Sequence, residues 1–155
     1  FLFKEKAFDR KLLVDKAEAK HIDVAYYRKL KQGADVHNSH GELILNTDVT
    51  TEGIPSKSYA FCSDTAYCEA IVPIVKNVDV LYHESTFLDA HANLCAKTKH
   101  STAKQAAEIA KKSTVGKLIL GHYSSRYNHL ENFKTEAQTI FDCVELAEDG
   151  KTFQI

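Results

Sequence analysis

From residue 58 onward the apolar and polar positions follow two alternating rhythms. Short β-rich runs at 59–62, 78–82 and 117–120 alternate with stretches of helical spacing at 66–76, 102–112 and 130–141. Strand alternating with helix predicts a layered α/β body. Ser101 or Thr102 stands where a cap for the second helix belongs. Val144–Leu146 and residues 152–155 are predicted to pair as closing strands across Asp149-Gly150, a favourable turn dipeptide. Before residue 58 the rhythm is irregular. Residues 12–19 and 22–30 each fit a short helix, with Asp23 as N-cap of the second and Gly33 as its break, and 43–45 reads as a small strand. Pro55-Ser56-Lys57 marks a loop between the two textures, so the chain divides into an arm, 1–57, and a body, 58–155.

Composition sharpens this only in part. The chain has 155 residues, 44% hydrophobic and 26% charged, with 6 Gly and 2 Pro, which suits a packed domain and argues against disorder. No apolar run approaches the roughly 18 residues of a spanning helix, and Lys4 interrupts Phe1-Leu2-Phe3 at once, so a soluble, cytoplasmic protein with no membrane partner is expected. The chain starts at Phe1 and has no Met, which reads as a leader removed or a piece of a longer polypeptide. Four cysteines without CxxC spacing argue against a cysteine zinc site, and free thiols are expected. Net charge is −1, but residues 1–31 alone carry +4, leaving −5 on the remainder. A basic segment on an acidic body suits phosphate contact by the first and cation binding by the second. The plainer alternative is a solvated helical face laced with ion pairs.

Chemistry-bearing residues cluster after the β-rich runs: Ser63-Asp64-Thr65, His83-Glu84-Ser85-Thr86 and Gly121-His122. In α/β sheets the carboxyl ends of strands converge on one crevice, where ligands gather. His100-Ser101-Thr102 adds a cluster at a helix start. One Asp and three His on a single rim is what a divalent metal–phosphate site needs. Asp64 is a hard oxygen donor able to bridge two cations, or else a helix cap. His122 offers an imidazole nitrogen to a metal, or is a satisfied core histidine. His100 and Glu84 form either a proton-transfer pair or a cap with a buried ion pair.

These motifs, in this order, resemble the late motifs of the ribonuclease Z family. Cys62-Ser63-Asp64-Thr65, the block His83-Glu84-Ser85-Thr86-Phe87 (the family's HEAT segment with Ser85 for Ala), His100-Ser101-Thr102-Ala103-Lys104-Gln105-Ala106-Ala107 and Gly121-His122-Tyr123-Ser124-Ser125-Arg126-Tyr127 carry the likeness. It implies an α/β fold, the C-terminal half of a metallo-β-lactamase αββα sandwich preceded by a basic arm. It further implies zinc-dependent processing of the 3′ end of precursor tRNA, leaving a 3′-hydroxyl on the tRNA and a 5′-phosphate on the trailer. Asp64 then matches the bridging ligand of two Zn2+ ions and His122 the last ligand. His100 matches the histidine that assists at the scissile phosphate, with Glu84 in support. Lys11, Lys16, Arg28, Lys29 and Arg126 are the RNA-binding candidates, and precursor tRNA, a missing N-terminal half and a second copy in a homodimer are the expected partners.

The departures matter as well. The family's HxHxDH signature is absent, and His37-Asn38-Ser39-His40 has the wrong spacing to replace it. The family's middle ligand histidine also falls upstream of Phe1. With Asp64 and His122 as the only carried-over ligands, the chain is expected to bind zinc poorly and to be inactive alone. Where the family inserts a tRNA-gripping arm with a Gly-Pro pair, this chain has Val24-Ala25-Tyr26-Tyr27. Two other readings stay open: another hydrolase of the metallo-β-lactamase fold, and a non-enzymatic phosphate-binding or dimerisation module.

Overall fold

The alternating half of the chain builds a five-stranded sheet in the computed structural model, which describes residues 1–155. In chain order the strands are β1 (Leu2–Lys4), β2 (Lys11–Leu12), β3 (Val36–His37), β4 (Leu43–Ile44), β5 (Thr50–Thr51), β6 (Ser58–Cys62), β7 (Val80–Glu84), β8 (Lys117–Gly121) and β9 (Val144–Leu146). The helices are α1 (Val14–Ala19), α2 (Tyr27–Lys31), α3 (Asn46–Val49), α4 (Ala92–Thr98), α5 (Ala103–Lys112) and α6 (Glu131–Gln138). Two compact units result: Phe1–Lys4 with Lys57–Ile155, and Glu5–Ser56. No helix is long and apolar enough to cross a membrane.

In the first unit the sheet order is β1-β6-β7-β8-β9, with β6 to β9 parallel and β1 antiparallel to β6. Parallel neighbours require crossovers, and α5 and α6 supply two of them. Both helices cover one face. Ala60, Leu81, Leu118, Leu120, Val144 and Leu146 from the strands share a core with Ala106, Ala107, Ile109, Phe133 and Ala137 from the helices. The alanine-rich face of α5 lets it approach the sheet closely. Alternation sends Tyr59, Phe61, Val80, Tyr82 and Ile119 to the opposite face. There they line a groove of about 400 Å³ together with Phe153 and Ile155 of the tail.

The capping expectation for α5 resolves to Thr102. Its hydroxyl accepts from Gln105 N at 3.1 Å, and the Gln105 side chain accepts from Thr102 N at 3.0 Å, a reciprocal capping box. In the second unit Ala17, Ile22, Leu30, Val36, Ile44 and Val49 form a separate small core, so this stretch is not an irregular arm but a packed body of short elements. Asp23 caps a 3-10 turn at Val24–Tyr26 that runs straight into α2, accepting from Ala25 N at 2.8 Å. Gly33, at φ +90°, takes the chain out of that helix.

Four sequence expectations change. Residues 66–76 form no helix beyond a single 3-10 turn at Glu69–Ile71, because Pro73 lacks the N–H that a continuing helix needs and disfavours helical geometry at Val72. Residues 152–155 do not pair with β9; β9 instead runs parallel to β8, and Phe153 and Ile155 lie against the aromatic face of the sheet. Leu2–Lys4, read with the arm, is an edge strand of the body's sheet. Finally, α4 had no counterpart in the sequence pattern. Replacing Thr102 by Ala removes the cap of α5, the longest helix on the sheet, and urea unfolding is expected to report a loss of about 1–2 kcal/mol.

Candidate metal centre

Strands β6, β7 and β8 end side by side, with Cys62 opposite His83 and Glu84 opposite Gly121. The three polar clusters that follow those strands therefore meet, and the residues ahead of α5 join them. At their centre is Glu84, whose carboxylate has no exposed surface. Its Oε1 accepts from Thr65 N at 3.1 Å and from His100 Nδ1 at 2.8 Å. Its Oε2 accepts from Thr86 N at 3.0 Å, Thr86 Oγ1 at 2.8 Å and Ser101 N at 3.2 Å. A buried carboxylate is tolerable only when its lone pairs are engaged, and here five donors from three separate segments engage them. Ser101 Oγ also donates to Thr65 O at 2.7 Å. Ser85, the residue that departs from the HEAT pattern, uses its hydroxyl on Gly121 O at 3.2 Å.

This scaffold presents Asp64, His100 and His122. One ligand atom from each lies within 4.8 Å of the other two. His122 Nε2 is 3.1 Å from Asp64 Oδ1, and the His100 and His122 rings are 5.1 Å apart between centroids. His122 Nδ1 is tied to Thr86 Oγ1 at 2.9 Å. Asp64 and His122 both have left-handed backbones, φ +50° and +59°. Asp and His tolerate that region better than most residues, yet it still costs on the order of 1 kcal/mol each. In both cases the kink comes just after a strand and turns the side chain over the strand's end. The preceding Gly121 has its own reason: a Cβ there would run into the phenol of Tyr82.

Of the residues singled out from sequence, Asp64, Glu84, His100 and His122 come together. Arg126 is connected to them through Phe87, its guanidinium 5.1 Å from the centre of that ring while Nε donates to Ser124 Oγ at 3.1 Å. Phe87 in turn meets the His100 ring edge to face at 6.4 Å. Lys11, Lys16, Arg28 and Lys29 belong to the other unit, all exposed, with Lys29 Nζ 5.5 Å from the Tyr26 ring centre. His83 does not join the rim. It follows Leu81 in alternation to the helix-covered face and is fully buried. Its Nδ1 lies 2.7 Å from Glu84 O, and Nε2 has no hydrogen-bond partner. Burial holds the His83 imidazole below the ordinary histidine range. Two links escaped sequence reasoning: Thr86, which joins Glu84 to His122 within the site, and Tyr127, whose hydroxyl meets Leu88 N at 3.1 Å and His91 Nδ1 at 2.8 Å. The HEAT and GHxSxRY blocks contain both, but position within a motif does not disclose who touches whom.

No family model matches the chain. Curated relatives do: it is 46% identical over 156 residues to ribonuclease Z of Cytophaga hutchinsonii and 41% identical over 155 residues to ribonuclease Z of Parabacteroides distasonis, in each case along 100% of this chain. The chain spans about half the length of these relatives, 50% and 51%. Among solved structures, the metallo-beta-lactamase fold protein YhfI from Bacillus subtilis matches 68% of this chain and 45% of its own, with TM-score 0.59 and 24% identity. A long form RNase Z from yeast matches 82% of this chain and 18% of its own, with TM-score 0.56 and 21% identity. The sheet with its single helical layer is thus part of a metallo-β-lactamase fold.

The buried imidazole of His83 makes stability depend on pH. Its folded pKa is depressed, so between that value and the ordinary histidine range of about 6.5 the unfolded chain holds the extra proton. Stability is therefore full above about pH 7 and falls on acidification, by at most about 1.4 kcal/mol per pH unit from this group. Urea unfolding between about pH 7.5 and 5.5 is expected to show that slope, and His83→Gln to flatten it.

Proposed function

The chain is a relative of ribonuclease Z over its whole length, and we propose that it supplies part of the catalytic domain of a zinc-dependent endoribonuclease that trims the 3′ end of precursor tRNA. One observation carries this reading: Asp64 and His122 face each other at 3.1 Å beside His100, with both imidazoles held from behind by the Glu84 network. His122 Nε2 and Asp64 Oδ1 are both acceptors when the neutral imidazole carries its proton on Nδ1. Two acceptors at that distance repel unless a positive charge lies between them. A carboxylate oxygen and imidazole nitrogens are the donor set that zinc takes, so the residues present fit the ion.

When bound, the metal supplies activation of water and neutralisation of the charge that builds on phosphorus. The chain's own residues do the rest. Asp64 and His122 hold the cation position. His100 stands next to it, with Nδ1 fixed on Glu84 and Nε2 left to hold or give a proton at an oxygen of the scissile phosphate. Arg126, spread over Phe87, brings a planar cation to the same rim for a phosphate oxygen. The exposed Lys11, Lys16, Arg28 and Lys29 favour a polyanionic substrate, since a small neutral ester needs no such surface.

One carboxylate and one imidazole, from Asp64 and His122, fall short of the shell of a two-ion site. The remaining ligands are assigned to an N-terminal half of the kind the curated relatives possess, and the chain alone is inactive. That half also covers the Tyr59, Phe61 and Tyr82 face. The complete protein is a cytoplasmic homodimer.

Supplying the N-terminal half is expected to produce precursor-tRNA cleavage. In the reunited protein Asp64→Ala should lower the rate by about 10³-fold; full activity in that variant overturns the ligand role. Replacing Lys11, Lys16, Arg28 and Lys29 with Gln should weaken tRNA binding and reduce the slope of log affinity against log salt by roughly one per residue. An unchanged slope in a binding titration removes these residues from the RNA interface.

A further inference from the structure

We infer that Thr86 is a positioning residue that sets the tautomer of His122, so that the Nε2 lone pair is directed at the cation position. The inference rests on the cation-site reading above and adds a residue to it. Thr86 Oγ1 has two close partners and a single proton to give. One partner is Glu84 Oε2 at 2.8 Å, which already accepts from the backbone N–H groups of Thr86 and Ser101 and, as a carboxylate, has no proton of its own. The hydroxyl proton therefore goes to Glu84. What remains on Thr86 Oγ1 is a lone pair, 2.9 Å from His122 Nδ1. That contact is a hydrogen bond only if Nδ1 carries the hydrogen.

It follows that neutral His122 carries its proton on Nδ1 when a cation lies between Nε2 and Asp64 Oδ1, which are 3.1 Å apart; without the cation, Asp64 competes for a hydrogen on Nε2. His100 is set in the same sense by direct donation of Nδ1 to Glu84 Oε1. One buried carboxylate thus orients two imidazoles, one directly and one through a hydroxyl. The relay has little freedom. Thr86 is only 7% exposed, its own N–H is bound to the same carboxylate oxygen, and β-branching restricts its χ1. Partners behind a metal-binding histidine typically change metal affinity 10- to 100-fold when removed.

The 155-residue chain itself provides the test, because the tautomer is readable without metal. Long-range 1H–15N correlation of the His122 ring at about pH 8.5, where an ordinary histidine is neutral, is read in an Asp64→Ala background that removes the competing carboxylate, and should place the hydrogen on Nδ1 with Thr86 intact and with Thr86→Ser. In Thr86→Val, similar in shape but without the hydroxyl, the Nε2–H form should gain, while His100 keeps its tautomer. With Asp64 intact, titration with Zn2+ alone, followed on the His122 resonances, should show about 10-fold weaker binding in Thr86→Val and recovery in Thr86→Ser. A hydrogen on Nε2 in the Asp64→Ala chain with Thr86 intact overturns the assignment even if Thr86→Val fails to fold. So does a Thr86→Val chain with an unchanged tautomer. If the tautomers move as expected but Zn2+ binds none of the three proteins, the positioning role stands and the cation-site reading falls.

Discussion

A carboxylate with no exposed surface is the constraint around which the site-bearing end of this molecule is organised. Removing a charge from water costs several kcal/mol unless hydrogen bonds replace its hydration. Glu84 meets that requirement with five donors, three of them backbone N–H groups from Thr65, Thr86 and Ser101. Those donors belong to the loop after β6, the residues after β7 and the turn ahead of α5. The strands bring these segments near one another, but strand pairing leaves the ends free to fray. Satisfying Glu84 does not. The same bonds that make its burial tolerable fix the positions from which Asp64, His100 and His122 project.

Hydrophobic packing and polar organisation thus divide the work along each strand. Leu81, Leu118 and Leu120 are packed beneath α5 and α6 and set the height of β7 and β8. A residue or two beyond, the backbone leaves the sheet at the residues that carry chemistry. His122 and Asp64 accept left-handed conformations there, and Gly121 leaves room for the Tyr82 ring. Such strain persists only where the surroundings over-determine it. Here the His122 ring is held by Thr86, and Ser85 N and Ser124 N bind the backbone on either side, to Gly121 O at 2.8 Å and Thr86 O at 3.1 Å.

Much of this was legible in the residues, for reasons that differ from place to place. The strands at β6, β7 and β8 are short apolar runs, aromatic in β6 and rich in Leu in β8, buried on one or both faces, a strong local signal. Thr102 with Gln105 three residues on is a local rule with a local outcome. The clusters after the strands could be grouped because topology sends parallel strand ends to one edge. What escaped was decided elsewhere. The apolar rhythm of residues 66–76 hid Pro73. The tail residues Phe153 and Ile155 had β character, but an aromatic face of the sheet was a better partner than the edge of β9. His83 looked like a member of the rim because it stands beside Glu84. Alternation sends neighbours to opposite faces, and its imidazole went into the core with Leu81. Thr86 was invisible as a link because a relay exists only in three dimensions.

On the proposed reading, the network also bears on how an incomplete metal-binding shell is held ready. Imidazoles on a free edge would sample many rotamers, and a cation arriving with further ligands would have to order them, at a cost of about 0.5–1.5 kcal/mol for each side chain immobilised. His100 and His122 have lost that freedom already, because Nδ1 of each is bound and their rings lie close together. Asp64 is the most exposed member, with 71% of its side chain accessible against 41% for His122, and its carboxylate is anchored to nothing but His122. The two imidazoles are thus organised by this chain alone, whereas the carboxylate keeps the latitude needed to adapt to ions positioned by ligands from elsewhere. That asymmetry is what the proposed site, assembled from two halves of a sandwich, would require: one half rigid enough to define the place, and one ligand loose enough to close on what arrives.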